Sequence, residues 1–261
     1  MFKPYHEFNI KMADVVCGIR TLYPDTEALA EAFLTDESPS FFIETSEEDV
    51  AAEERFSYES DLFEGRVPVK YPAGYLETLA VLRRFCDAVC PLDIILFHAS
   101  AVMVDGKAYL FTAPSGTGKS THAALWRRLL GDRAVVINDD KPFLRFFDDR
   151  ITVYGSPYNG KHRLGNNISA PLAAIGVIKR GETNHVHTSA DVIPMLVQQT
   201  YRPRDAELTA RVMSLILRLA RIPAYDIYCN MTEEAAVTSY EAMTGKRYTT
   251  DNDLSTNGDL S

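Results

Sequence analysis

The run TAPSGTGKST, residues 112–121, constrains this chain more than any other stretch of it. Glycines let a backbone approach a ligand closely and adopt positive φ angles. Where such a loop opens a helix, several N–H groups point toward one anion. In the pattern G-x-x-x-x-G-K-[ST], the lysine reaches the β/γ-phosphates and the hydroxyl reaches Mg²⁺. Gly118, Lys119 and Ser120 match its last three fixed positions, and Ala113 stands where the first glycine belongs.

The flanking sequence supplies the elements that a phosphate loop requires. Upstream, two apolar runs are joined by an Asp-Gly pair at 105–106, which predicts a hairpin whose second strand covers 107–112. Downstream, a helical pattern ends at Gly131, and the next apolar run, AVVIN, precedes two carboxylates at 139–140. This order favours a strand, a loop, a helix and a second strand. A glycine-rich turn that only caps a helix is the alternative.

A polyphosphate such as that of ATP would bind along this loop. The residues predicted to contact it are Ser115, Gly116, Thr117, Gly118, Lys119, Ser120 and Thr121. The two aspartates after the next strand suit phosphoryl transfer, because one can hold Mg²⁺ while the other accepts a proton from an attacking hydroxyl. The alternative for the pair is a turn held by Asx hydrogen bonds.

Composition excludes several other classes of protein. The 261 residues suffice for one large domain, or a small one plus a medium one. A net charge of −9 without a basic stripe argues against nucleic-acid binding. No apolar run has the length of a membrane span and the start is not a secretory signal, so we expect a cytoplasmic protein without a membrane partner. The four cysteines lack zinc-site spacing and are expected to be buried free thiols.

We divide the chain into three parts. Residues 1–92 are expected to form an α+β region that supports the rest and carries no chemistry itself, with its clearest helix at 75–89. Residues 93–247 would form the catalytic domain, and the polar tail 248–261 is expected to be disordered. A homo-oligomer is possible. His122, within the helix of the loop, is expected to be structural.

Three of these elements together resemble a known family. His98, the loop SGTGKS at 115–120 and the strand VINDD are similar to the catalytic domain of HPr kinase/phosphorylase, which is related to the nucleotide-binding half of ATP-dependent PEP carboxykinase. The segments FTAPSGTGKSTHAALW, NDDKPFLR, YGSPYNGK and CNMTEEAA resemble a bacterial subgroup of HPr-kinase-like proteins of uncertain substrate. The resemblance covers roughly residues 96–245. It implies an α/β fold, with a P-loop mixed-sheet core and a small α+β N-terminal region.

The resemblance also implies an activity. An ATP-dependent kinase would transfer the γ-phosphate, with Mg²⁺, to a hydroxyl on a protein, a peptide or a small molecule, with serine as the first candidate. Asp139 would be the base, His98 would lie beside it, and Asp140 would bind metal together with Ser120; the roles of the two aspartates could be exchanged. The alternatives are a catalytically weak nucleotide-binding regulatory protein and a P-loop hydrolase. Lys141 argues against hydrolysis, because it stands where a water-positioning glutamate would follow the aspartates.

The segment GSPYNGKHRLGNN, 155–167, departs from the family pattern. HPr kinase carries a metal-binding acid there, whereas this chain has none, which argues against HPr itself as the acceptor. Lys161 and Arg163 are predicted instead to act near the γ-phosphate, as an arginine finger does. With three glycines and a proline, the loop is expected to lack order without ligand and to close over the nucleotide. A solvated basic turn is the alternative.

Overall fold

Two β-sheets and seven α-helices make up the part of the chain that the computed structural model describes, residues 5–63, 65–160 and 163–249. The helices are α1 Asp25–Leu29, α2 Glu47–Phe63, α3 Ala73–Val89, α4 Lys119–Leu130, α5 Ile193–Gln199, α6 Ala206–Leu219 and α7 Glu233–Thr244. The strands are β1 His6–Met12, β2 Val15–Thr21, β3 Phe41–Glu44, β4 Ile94–Leu96, β5 Ser100–Val104, β6 Lys107–Thr112, β7 Ala134–Asn138, β8 Phe143–Phe146, β9 Ile151–Tyr154, β10 Ser169–Arg180, β11 His185–Thr188 and β12 Ala224–Cys229.

The larger sheet is mixed, as predicted, and its parallel part positions the loop 113–118, which sequence analysis predicts to bind phosphate. Its strand order is β4-β8-β9-β10-β6-β5-β7, and β12 pairs with both β10 and β11. Strands β6, β10 and β12 run parallel. Their carboxyl ends therefore meet at one edge, which is where ligands bind in sheets of this kind. The loop that follows β6 leaves the sheet at this edge.

The predicted hairpin and loop helix are confirmed. Strands β5 and β6 pair antiparallel across Asp105 and Gly106, whose φ angles are 49° and 73°. Two successive positive φ angles are what a two-residue type I′ turn requires, and Asp-Gly supplies them at low cost. Helix α4 begins at Lys119 and ends before Gly131, whose φ is 56°.

A buried polar cluster fixes α4 against α7. His122 Nε2 and Trp126 Nε1 both lie 2.8 Å from Ser239 Oγ. Burial lowers the pKa of His122 to about 4, so the ring is neutral at physiological pH. The expectation that His122 is structural agrees with these contacts.

The N-terminal region is α+β, and it shares a core with the larger sheet. Strands β1, β2 and β3 form a second sheet; β1 and β2 are a hairpin that sequence analysis missed. Phe85 of α3 packs edge-on against Phe143 of β8, with ring centroids 5.3 Å apart. One hydrophobic cluster contains residues from both regions, including Val81, Phe85, Ile94, Phe143 and Tyr154. The boundary at residues 92/93 stays a prediction.

Two smaller expectations concern the cysteines and the tail. All four cysteines are buried and unpaired, as predicted, and burial raises the pKa of Cys17 to about 12.

Tyr248, placed in the disordered tail by sequence analysis, instead packs on Tyr240 with ring centroids 6.3 Å apart. The aromatic contact overrides the polar character of its neighbours. Residues 250–261 lie outside the described residues.

No helix within the described residues has both the length and the apolar character needed to cross a membrane.

Candidate functional site

The loop between β6 and α4 has the backbone of an anion cradle. Gly116 and Gly118 have φ angles of 75° and 128°, which side-chain-bearing residues rarely adopt. Apart from the chain neighbours, no atom of the described residues lies within 4 Å of where a Cβ would stand on either glycine, so the backbone angles and not crowding explain the two glycines. Helix α4 begins at Lys119. The backbone N–H groups of its first turn have no carbonyl acceptor within the helix, so they can donate hydrogen bonds to an anion.

Lys119 is held inside this loop. Its side chain is buried, and Nζ donates a hydrogen bond to the carbonyl oxygen of Ala113, 3.1 Å away. Burial lowers the pKa of the ammonium group, and the nearby charge of Asp140 opposes the shift. A partly desolvated cation with one neutral partner favours an anionic ligand, because such a ligand supplies the missing counter-charge.

Asp139 follows β7 and is buried. Ser100 Oγ donates to the carbonyl oxygen of Asp139 at 3.2 Å and lies 3.5 Å from Ser120 Oγ. The backbone N–H of Gly160 donates to Asp139 Oδ1 at 2.7 Å. Among the residues that the structure describes, none forms a hydrogen bond with the buried Asp139 Oδ2. A buried carboxylate oxygen without a partner is costly unless a cation or donor satisfies it, so this position fits a metal ion.

The side chain of Asp140 pairs with His98 and with Lys141. His98 Nε2 lies 3.0 Å from Asp140 Oδ1, and Lys141 Nζ forms an ion pair with Oδ2. Burial alone would raise the pKa of Asp140, but the hydrogen bond with His98 and the charge of Lys141 outweigh it and lower the pKa to about 2. The carboxylate is therefore ionised throughout the physiological range.

The expectation that His98 lies beside Asp139 is wrong, because Asn138 turns the chain there. Asn138 Oδ1 accepts hydrogen bonds from the N–H groups of Asp140 and Lys141 at 2.8 and 2.6 Å. This Asx turn follows β7 and places the side chain of Asp140 on the side of His98. Sequence analysis gave the Asx turn as an alternative to a catalytic pair. The structure has the turn, which Asn138 makes, and the catalytic role of the two aspartates stays a prediction.

Asn138 should be one of the most destabilising positions to truncate. It is fully buried, and its amide nitrogen also donates to Ser156 O and Oγ at 3.0 and 3.1 Å. Asn138→Ala would leave several buried polar groups unsatisfied, and we expect a loss of about 2–4 kcal/mol in the free energy of unfolding, measured in urea. Asn167→Ala is the matched control, because its amide makes one exposed hydrogen bond, to Ala32 O. Equal losses in the two variants would contradict the role given to Asn138.

A cleft of about 830 Å³ opens beside Asp140. Helices α1 and α3 form one of its walls, and the chain after β9 forms the other. The polar and apolar side chains that line it include Asp25, Tyr75, Thr78, Leu79, Asp140 and Arg163. Residues from 1–92 thus line part of this cleft, and the expectation that this region supports the catalytic half without carrying chemistry stays a prediction. Sequence analysis missed this because no motif marks these residues.

Residues 155–160 and 163–167 make several anchoring contacts, where the sequence predicts little intrinsic order. Ser156 is fully buried, Tyr158 Oη donates to the carbonyl oxygen of Thr78 at 2.9 Å, and the N–H of Asn166 donates to Ile137 O at 3.0 Å. These contacts outweigh the low intrinsic order of the glycines. Arg163 lines the cleft, with a φ of 48°. Lys161, the other predicted catalytic cation of this loop, lies outside the described residues.

Arg180 is a further polar contact to the loop that sequence analysis missed. It is the last residue of β10, the strand beside β6, and its Nη2 donates to the carbonyl oxygen of Gly116 at 2.8 Å. The guanidinium of Arg180 thus stabilises the loop at Gly116 and places a positive charge beside this residue. The sequence feature that could have predicted this contact is a basic residue at the carboxyl end of a buried apolar strand.

Comparison with known proteins adds little to this geometry. No family model and no curated protein matches the chain. One solved structure that it resembles is "Structure of the Hpr(Ser) kinase/phosphatase from Coxiella burnetii", with 12% sequence identity, a TM-score of 0.34, and coverage of 64% of this chain and 99% of that one. An identity and a TM-score this low support no argument about what the present chain does.

Proposed function

We propose that this protein is an ATP-dependent kinase that transfers the γ-phosphate to a hydroxyl group, with Mg²⁺. One observation supports the proposal most: two aspartates meet at the phosphate loop in different environments, one buried with an unpartnered oxygen and one ionised at the mouth of a cleft. A protein that only binds a nucleotide needs the phosphate loop but no pair of carboxylates. Two carboxylates with separate surroundings suit phosphoryl transfer, in which a metal ion and an attacking hydroxyl both need a partner.

The nucleotide would be held by residues 115–121, and Mg²⁺ would be held by Ser120 and one aspartate together with the phosphates. Magnesium-bound ATP supplies the transferable phosphoryl group and neutralises part of its charge. Within the described ranges no group of three His, Cys, Asp or Glu side chains could hold a metal ion. The proposed ion would therefore depend on the nucleotide for several of its ligands.

We propose that the roles of the aspartates are the reverse of those that the resemblance implies. Ser100 connects the backbone of Asp139 to Ser120, so Asp139 belongs with the metal-side hydroxyl. Asp140 lines the cleft from which an acceptor would come, whereas Asp139 is buried. Asp140 would accept the hydrogen bond, and finally the proton, of the acceptor hydroxyl. His98 would fix the orientation of that carboxylate, and Lys141 would keep it ionised.

The experiment is a transfer assay with [γ-³²P]ATP and Mg²⁺ against a panel of hydroxyl compounds, seryl peptides and proteins. The expected result is an acid-stable phosphoester whose formation requires Mg²⁺. Binding of ATP with no transfer would favour a nucleotide-binding regulatory protein. Release of inorganic phosphate alone, at the same rate with and without acceptors, would favour a hydrolase.

A further inference from the structure

The cleft beside Asp140 is large enough to hold a small ligand. Its volume, about 830 Å³, lies within the range of small-molecule sites, about 300–1,000 Å³. It lies between helices α1 and α3 on one side and residues 157–160 with Arg163 on the other. A hydroxyl that enters between these two walls can approach the carboxylate of Asp140, which lines the cleft. A small compound or a few residues of peptide can do this more readily than the rigid surface of a folded protein.

The two walls offer opposite charges. Asp25, the first residue of α1, is exposed and lies against Gly74 in the first turn of α3, and none of the described residues forms an ion pair or hydrogen bond with its carboxylate. Arg163 is exposed on the other wall, and its guanidinium likewise has no partner among the described residues. Lys141, the other cation among the described residues of the cleft, is already paired with Asp140. Of the charges on these described residues, the carboxylate of Asp25 and the guanidinium of Arg163 therefore remain for a ligand.

Tyr75 of α3 also lines the cleft. It packs on Tyr71 with ring centroids 5.3 Å apart, and its phenol lies in the cleft. Burial raises the pKa of Tyr75, with Tyr71 and Asp140 adding to the shift. The phenol is thus protonated at neutral pH and can donate a hydrogen bond. Leu29 and Leu79 supply apolar surface beside it.

We infer, on the basis of the proposed kinase function, that this cleft binds the acceptor and that the acceptor is a small zwitterionic hydroxyl compound: a hydroxy-amino acid or a short seryl peptide with free termini. Its ammonium group binds Asp25 and its carboxylate binds Arg163. Its hydroxyl oxygen forms a bond to the γ-phosphorus, the bond from that phosphorus to the β–γ bridging oxygen breaks, ADP leaves, and the hydroxyl proton passes to Asp140.

The test compares three acceptors that differ in one charge each: L-serine, N-acetyl-L-serine and L-serine amide. For the unaltered protein, KM is expected to be lowest for L-serine. Asp25→Asn should raise KM for L-serine and L-serine amide roughly tenfold and leave N-acetyl-L-serine unchanged, since that compound has no ammonium group. Arg163→Gln should raise KM for L-serine and N-acetyl-L-serine by a similar factor and leave L-serine amide unchanged.

Matched controls are Asp132→Asn and Arg55→Gln, which remove the same charges from exposed positions away from the cleft. Thermal unfolding of each variant separates misfolding from lost recognition, and Arg163→Gln keeps the test valid if Asp25→Asn proves unstable. Variants that raise KM for all three acceptors equally, or for none, would overturn the inference. Transfer to protein hydroxyls alone would also overturn it and leave the kinase proposal intact, whereas failure of both ATP binding and transfer would remove the kinase proposal itself.

Discussion

Lys119→Ala is expected to abolish phosphoryl transfer, with a loss on the order of a thousandfold or more, while the protein stays folded. The ammonium group is buried in the loop and has one hydrogen-bond partner, the carbonyl oxygen of Ala113. Charge that develops on the transferred phosphate in the transition state would lose this preorganised cation. The fold should survive, because burial of the ammonium already costs free energy that the alanine does not incur.

The measurement is the initial rate of transfer, with the affinity for Mg·ATP from calorimetry and the unfolding temperature determined on the same samples. Lys107→Ala is the matched control, because Lys107 is an exposed lysine at the other end of the strand that leads into the loop. We expect weaker ATP binding and no measurable transfer for Lys119→Ala and normal values for the control. Transfer at the parent rate by Lys119→Ala would remove the kinase proposal.

The second large effect separates the two aspartates. Asp140→Asn should bind Mg·ATP with near-normal affinity and transfer phosphate about a hundredfold more slowly or worse, the range for loss of a general base. The amide keeps the shape of the carboxylate but cannot accept the proton of the hydroxyl. Its partners His98 and Lys141 would lose the negative charge that holds them.

Asp139→Asn should act on the metal instead. Its buried, unpartnered oxygen is the group that we assign to Mg²⁺, so the variant should need a higher Mg²⁺ concentration for half-maximal rate. Titration of the rate with Mg²⁺ at saturating ATP measures this directly for both variants. The reverse pattern would restore the assignment that the family resemblance implies. Equal loss of ATP affinity in both variants would contradict any division of roles.

Local signals in the sequence were enough to predict the conformation of the loop 113–118, the hairpin before it and the helix after it. The Asp-Gly pair at 105–106 determines a hairpin by its backbone angles, and Gly116, Gly118 and Gly131 are needed where φ is positive. The β7 strand is a continuous apolar run with a turn residue, Asn138, at its end. In each case residues within a few positions of one another determine the conformation.

The parts that sequence analysis missed depend on contacts between distant residues. Asp140 reaches His98 because Asn138 accepts two backbone N–H groups, and the spacing of the motif cannot show which aspartate that places outward. Tyr75 lines the cleft from α3, which packs against β8 through Phe85 and Phe143, and Asp25 lines it from α1, where its carboxylate lies against Gly74 of α3. Residues 155–160 are anchored by the hydrogen bond between Tyr158 and Thr78, which are 80 positions apart in the sequence.

The fate of the γ-phosphorus of ATP tests most directly whether this protein transfers phosphate to a hydroxyl group. The reaction is run with Mg·ATP and the acceptor panel in water enriched in ¹⁸O, and the products are examined by ³¹P NMR. We predict a phosphomonoester whose phosphorus carries no ¹⁸O from water, formed by the parent protein and not by Lys119→Ala. Inorganic phosphate carrying ¹⁸O as the sole product, or a phosphoester formed equally well by Lys119→Ala, would contradict the proposal that this phosphate loop and its two aspartates form a kinase site.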